Sequence, residues 1–516
     1  MSTTLNSCAG KAIGRFISKP KSFPSDGFPL RPGFHRSGFS VKLQPHRTFS
    51  SSRICQTRTS EMSKKDVASL KVSQERLVGD IHHTAQWGTG KSWGDGPTEK
   101  GLSRLSLTPS DASVRKWFIS TTEALGCTTT VDEMGNIFTV RPGLNNDLPP
   151  VYAGSHLDSQ PTGGRYDGIL GVLAGVEMLR CLNEGWVETE GPVGVVNWTN
   201  EEGARFPISM LSSAVWSGTI PLSTAHSLRS VIPASDTATV KSSLESINFL
   251  GSTPCSYTAT PMAAHFELHI EQGPHLVSSK RKIGIVKGVQ SYKWFTITVT
   301  GRDCHTGTTS FEHRADALVA ASRMIVQSHR SAAGKGALAS TGIVKVEPGS
   351  TNTVPGTVRF SLDVRAAHDT VVDAVEQELK EDFAAIAAGE DVDGLAAGGV
   401  KGIPCEVEWQ TDSISPAVDF HEDCIRCVEE ASEGLFGTQN LEKLTMKMVS
   451  GAGHDSVETS KRVPTSMIFV PCRGGVSHHP AEYCAPEDCA VGAQVLLGSV
   501  VGYDRLRAEK VKEGSV

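Results

Sequence analysis

No stretch of the chain approaches the ~18 uninterrupted apolar residues that a membrane-spanning helix needs. The longest candidate, GILGVLAGVEMLRCL, is Gly-rich and interrupted by Glu177 and Arg180, so no membrane partner is expected. Acidic residues are nearly missing from the first 60 positions, which hold ten Lys or Arg against Asp26 alone. With a whole-chain net charge of −6, the remainder is strongly acidic. An acidic body without basic clusters lacks the contacts on which affinity for phosphate backbones rests, so nucleic acid is dropped as a partner. A second Cys-x-x-Cys is also missing. Cys424 and Cys427 stand alone in the helix-like HEDCIRCVEEASEGL and read as an inert helix-face pair, since nothing completes a zinc knuckle. The twelve cysteines, spread from Cys8 to Cys489, are too sparse for a disulfide-stapled secreted scaffold and fit a reducing compartment.

What is present is ample core. The 516 residues are 38% hydrophobic before 51 glycines are counted, enough for two to four domains at roughly 150 residues each. Residues 1–60, rich in Arg, Lys, Ser and Pro and ending in RTFSSSRICQTRTS, have the composition of a mitochondrial transit peptide. The alternative is a disordered tail, or an upstream extension of a cytoplasmic protein starting at Met62. From about residue 73 strands and helices alternate, as in an α/β domain. PPVYAGSHLDS, VGVVNWTNEEG and HFELHIEQG each read as an apolar strand with polar residues at its C-terminal end, where open α/β sheets place ligands. Beyond Gly288, SYKWFTITVTG, RADALVAASRMIVQSH, TGIVKVEPG, TVRFSLDVRA, HDTVVDAVEQELKEDFAAIAAG and CEVEWQTDS give the β-α-β-β-α-β order of a ferredoxin-like sandwich. The acidic, Gly-rich loop 388–402 reads as a solvated connection. The expected organisation is a catalytic domain in two parts, 73–287 and 416–507, with an inserted domain at 288–415.

Five separated pieces supply metal-binding side chains: His156 and Asp158, Asp167, Glu201 and Glu202, His269, and His478/His479. Each alone is ordinary, and Asp167 ahead of a helix is a common N-cap. Together, imidazoles and carboxylates at strand ends or in Gly-rich loops form a mixed N/O set. Such a set suits zinc, or manganese or cobalt, with open positions for water. Glu201 and Glu202 are consecutive, so on extended backbone they point opposite ways and can take different tasks. Inspection leaves His478 and His479 equivalent.

In order, GSHLDSQPTGGRYDGILGV, TNEEGARF, HFELHIEQGP, GRDCHTGTT, NTVPG, SLDVRA, SGAGHDS and GVSHHPAEY resemble the hydantoinase/carbamoylase (amidase) branch of the M20 metallopeptidase family. The likeness spans about residues 73–505 and is nearest to yeast-type β-alanine synthases (β-ureidopropionases) and N-carbamoyl-L-amino-acid hydrolases. It implies a zinc-exopeptidase-like catalytic domain of mixed sheet, with an inserted ferredoxin-like lid and dimerisation domain. It implies two divalent ions per subunit, with Asp167 bridging, His156 and His269 on one ion, and Glu202 and His478 on the other. Asp158 would hydrogen-bond and orient His156, and Glu201 would take the proton of an attacking water and deliver it to the leaving nitrogen. Gln272, His305, Asn352 and Arg365 would bind substrate, His305 donating to the developing oxyanion and Arg365 clamping a carboxylate. His454 receives no role. Ser310-Phe311, where Pro-Met is common, and Cys304 before His305 bear on pocket shape. The implied substrate is a small ureido acid, N-carbamoyl-β-alanine of pyrimidine breakdown by preference, cleaved by a homodimer. N-carbamoyl-L-α-amino acids, allantoate or ureidoglycolate, and a non-catalytic binding homologue are the alternatives.

Overall fold

The computed structural model describes residues 69–392, 394 and 400–512. The leader read as a transit peptide, the start at Met62, and residues 393 and 395–399 of the acidic loop lie outside the described residues. No helix of the described residues is long and apolar enough to cross a membrane.

Two sheets organise the chain. The first has nine strands: β1 (Thr128–Val131), β2 (Ile137–Arg141), β3 (Val151–His156), β4 (Val193–Trp198), β5 (Ala264–Ile270), β6 (Ile283–Val289), β12 (Val418–Asp419), β13 (Thr445–Ser450) and β14 (Thr465–Val470). Their order is β12-β6-β14-β5-β3-β4-β2-β1, with β13 also on β6. The centre, β14-β5-β3-β4, is parallel throughout. Every residue of these four strands is buried, which is why they read as near-continuous apolar runs. Parallel neighbours bring their C-terminal ends to one edge, so His156, the segment after Trp198, His269 and the loop after Val470 converge there.

Helix α1 (Ile169–Glu184) follows β3 and is buried along most of its length. Glycines in its sheet-facing surface let it seat close to the sheet. A Cβ on Gly171 would stand 2.5 Å from the Leu268 carbonyl oxygen, and one on Gly175 would stand 2.8 Å from Val195 methyl carbons. This close seat sets the first turn of α1, and Asp167 just before it, over the ends of β3 and β5.

The second sheet comprises β7 (Ser291–Thr300), β8 (Leu338–Ser340), β9 (Val344–Glu347), β10 (Thr357–Ala366) and β11 (Glu406–Ser415). Its order is β8-β10-β7-β11, all antiparallel, with β9 sharing the β8 side of β10. The second strand read from TGIVKVEPG is β9, and β8 just before it is a further short strand on the same neighbour that the sequence reading did not assign. Helices α2 (Ala317–Gly334) and α3 (Asp369–Ala387) cover one face, over a core of Phe295, Ile297, Val299, Phe360, Leu362 and Phe383. Strand alternation sends Asp363 and Arg365 to the helix-free face, opposite Trp294 and Tyr292 in register. These four residues sit where β7 leaves β6, beside the first sheet. After β11 the chain returns, and β14 inserts between β5 and β6, so residues on both sides of the insertion build one sheet.

Candidate metal centre

Asp167 stands at the middle of the converging ends. Its Oδ1 is 3.0 Å from His269 Nε2 and 3.7 Å from His156 Nε2, while its Oδ2 is 3.4 Å from His478 Nε2. Glu202 Oε2 is 3.4 Å from the same His478 nitrogen, and Glu201 Oε2 is 3.4 Å from His156 Nε2. Two triads thus share one carboxylate: His156-Asp167-His269 and Asp167-Glu202-His478. A tetrahedral ion with ~2.1 Å bonds sets its ligand atoms about 3.4 Å apart, so the donor types and their spacing fit two such ions. A third group, Glu267-His269-His454, is engaged otherwise. Ser155 and Ser456 hydroxyls occupy the two Glu267 oxygens at 2.7 and 2.6 Å, and His454 Nε2 is 3.0 Å from Ser450 Oγ.

Local structure explains each arm. His156 Nδ1 donates to the Asp158 carbonyl at 3.0 Å and His269 Nδ1 to the Ile270 carbonyl at 2.8 Å, so both rings present Nε2 inward. This corrects the role expected of the Asp158 side chain. The strand ends at His156, the chain turns, and the main-chain oxygen meets the imidazole while the Asp158 carboxylate stays 4.0 Å away. Glu201 and Glu202 also depart from expectation, since both line one cavity. Asn200 at φ +60° and Gly203 at φ +66° break the extended backbone on which the two side chains would have diverged. His478 holds φ +54°, a conformation that costs a non-Gly residue free energy and here brings its ring to Asp167. His479 turns away and accepts from the Ala481 N–H at 3.1 Å.

The electrostatics of the cluster favour a cation. Among the described residues every ion-pair partner of Asp167, Glu201 and Glu202 is an imidazole. Burial works against the Asp167 charge, yet His269, His478 and His156 hold its carboxyl well below the usual range. Burial pushes Glu201 well above that range, with Asp455, Glu202, Asp167 and Asp158 adding to the effect. Burial and Asp167 raise Glu202 to about 8. Three acids in one buried site resist ionising together unless positive charge is supplied, and divalent ions supply it.

The cavity over these residues has a volume of about 180 Å³. Gln160, Ser209, Met210, Gln272, Tyr292, Trp294, Arg365 and the 452–454 segment complete its wall. Gln272 donates to Asp167 Oδ2 at 2.7 Å, so it braces the central carboxylate as well as facing the cavity. Arg365 reaches the wall with its guanidinium already held by Asp363, a partner the sequence did not suggest. His305 lies on a two-residue ladder, Cys304–His305 against Thr353–Val354, with Asn352 just before the second strand. They are exposed and do not line this cavity, so within one chain the structure does not bring them to Asp167.

Sequence reasoning missed the residues that hold the ligands. Glu482 accepts the Tyr166 and Asp167 N–H groups at 3.0 Å each and fixes the loop bearing Asp167. Ser477 Oγ is 2.7 Å from Asp167 Oδ2 and 3.1 Å from Glu482 Oε2. Gln160 binds Glu202 through its main-chain N–H at 3.0 Å and its amide at 2.7 Å. Gly168 caps α1 at φ +71°, with the His156 ring where a side chain would be: a Cβ would lie 2.2 Å from Cε1. A glycine at a helix start, where Ser, Thr or Asp is usual, was the available signal for this one.

The profile described as Peptidase family M20/M25/M40 matches residues 152–501. An N-carbamoyl-L-amino-acid amidohydrolase of Rhizobium meliloti is 36% identical over 433 residues, covering 84% of this chain and 96% of that protein. An allantoate amidohydrolase of Bacillus subtilis is 31% identical, covering 83% and 97%. The crystal structure of an amidase of the hydantoinase/carbamoylase family from Burkholderia multivorans is similar with a TM-score of 0.74 and 37% identity, covering 84% of this chain and 98% of that one.

Gly168→Ala should displace the His156 ring and empty the His156-His269 side. Elemental analysis is expected to find at most about one ion per chain, with the far-UV circular dichroism of the parent. Two ions held as tightly as before would remove Gly168 from the construction of the site.

Proposed function

As a member of peptidase family M20/M25/M40, in its hydantoinase/carbamoylase branch, the chain is a hydrolase of C–N amide bonds, and we propose that it cleaves N-carbamoyl amino acids to the free amino acid, ammonia and carbon dioxide. The observation that carries this reading is the pair of triads sharing Asp167, with Glu201 outside both and 3.4 Å from His156 Nε2. The family is metal-dependent, and the mixed imidazole and carboxylate donors suit Zn2+, with Mn2+ or Co2+ as alternatives. His156, Asp167 and His269 would hold one ion and Asp167, Glu202 and His478 the other. Bound there, such ions polarise a carbonyl and lower the pKa of water.

The chain's own residues do the rest. Glu201, its carboxyl raised by burial and its acidic neighbours, takes the proton of the attacking water and passes it to the leaving nitrogen. Arg365 and Gln272 line the same cavity and orient the ureido acid. A non-catalytic homologue would have no reason to gather these carboxylates in one cleft.

The ordered motifs favour N-carbamoyl-β-alanine as substrate. A second reading, N-carbamoyl-L-α-amino acids, has its own support: Tyr292 and Trp294, with ring centroids 5.2 Å apart, put an aromatic surface beside Arg365 that an apolar side chain would contact. The Rhizobium relative carries that substrate class in its name. Allantoate and ureidoglycolate share the ureido group and complete the set to be compared.

Ammonia release from N-carbamoyl-β-alanine, N-carbamoyl-L-α-amino acids, allantoate and ureidoglycolate should show turnover, greatest for the first. Glu201→Gln should lose at least ~10²-fold in kcat while retaining its ions. No release from any of the four refutes the reading, and an ion-replete Glu201→Gln variant of full activity refutes the base.

The same reading includes a homodimer in which His305 of each subunit completes the other subunit's cavity, which its exposed place outside its own cavity supports. Inactive Glu201→Gln and His305→Ala subunits should then complement on exchange. Equal mixing should restore roughly a quarter of the parent activity, because each mixed dimer holds one intact site. Demonstrated exchange without recovery would place His305 in its own subunit.

A further inference from the structure

The Arg365 guanidinium is held on several sides by its own chain. Its Nε lies 3.0 Å from both Asp363 oxygens and its Nη2 lies 2.8 Å from Asp363 Oδ2. Its Nη1 donates to the Gly451 carbonyl at 2.9 Å, and the Tyr292 ring lies beneath it, 5.1 Å from ring centroid to the central carbon. The pairing is built by register: Asp363 and Arg365 are two residues apart on one face of β10, and Tyr292 is directly opposite Arg365 on β7. Gly451 belongs to the first sheet's side of the molecule. The residues after it, Ala452 to His454, line the cavity. Asp363 does not line it, whereas Arg365 does.

Donor counting gives this cradle a function. A guanidinium has five N–H groups in a fixed plane. Asp363 takes the Nε–H and one on Nη2, and Gly451 takes one on Nη1. Two remain, one on each Nη nitrogen, and the Nη1 end is the end tied to the cavity-lining segment. A carboxylate binds arginine best through two parallel N–H donors. We propose that Asp363 is a positioning residue for carboxylate recognition, holding Arg365 by its Nε–Nη2 edge so that the two remaining N–H groups meet the substrate carboxylate as a fork. The proposal rests on the ureido-acid reading above and extends it to a residue outside the cavity.

Two consequences of removing Asp363 oppose one another. Loss of its negative charge would strengthen the attraction of Arg365 for any anion, while loss of its second acceptor oxygen would let the guanidinium turn in its plane. The second prevails, because bidentate pairing fails once the fork is misaimed.

The test uses the full, zinc-loaded chain and its Asp363→Asn and Asp363→Glu variants. Steady-state kinetics would be measured on N-carbamoyl-β-alanine, N-carbamoyl-L-phenylalanine and the neutral carboxamide of each. Asp363→Asn should raise KM for the acids about tenfold with kcat within about twofold, and leave the carboxamides within about twofold of the parent. Asp363→Glu should recover part of the loss. Equal losses on acids and carboxamides would make Asp363 a structural support only, and an unchanged or lower KM for the acids would show that Arg365 is aimed without it. Either result overturns the proposal with the functional reading intact. A parent enzyme silent on every ureido acid overturns that reading and this one with it.

Discussion

The Asp167 carboxylate is asked to do two things at once. It must remain ionised among Glu201 and Glu202 in a buried site, and it must present one oxygen to each of two groups of ligands. Without compensation such a group would neutralise by binding a proton. The surrounding structure supplies that compensation piece by piece. Three imidazoles face it, Gln272 and Ser477 lie 2.7 Å from its outer oxygen, and Glu482 fixes the main chain at its root. Four parallel strands bring these groups to one sheet edge, and the glycines of α1 allow the helix to seat close enough for Asp167 to reach all of them.

The second sheet adds a different surface to the same cavity. Its helix-free face brings Tyr292, Trp294 and Arg365 to the cavity, so this part of the wall is aromatic and cationic. The ligand side is acidic and imidazole-rich. A molecule carrying a carbonyl at one end and a carboxylate at the other would match that polarity. Hydrogen bonds from Arg365 and Gln290 to the Gly451 carbonyl tie this wall to the first sheet.

Much of this was legible in the sequence because the central strands are buried on both faces. Continuous apolar runs ending in His156, the Glu201-Glu202 pair and His269 marked the sheet edge, and the alternation of TVRFSLDVRA marked the inserted sheet. What failed was side-chain direction where the backbone leaves regular structure. Asp158 follows a strand end, so its carbonyl, not its carboxylate, meets His156. Asn200 in the left-handed region turns Glu201 and Glu202 into one cavity against the alternation rule. Glu482 was invisible as a positioning residue because its partner is 315 positions away, and Asp363 because strand alternation puts it on the face of Arg365 without saying which side chains on that face pair. His305 and Asn352 carry suitable chemistry, but tertiary arrangement keeps them off the cavity wall of their own chain.

The central claim is that one carboxylate organises two ion sites. Anomalous diffraction at the zinc edge from crystals of the zinc-loaded protein addresses it directly. Two peaks per chain are expected, one among His156, Asp167 and His269 and one among Asp167, Glu202 and His478. A single peak, or a peak seated among Glu267, His269 and His454, would contradict it.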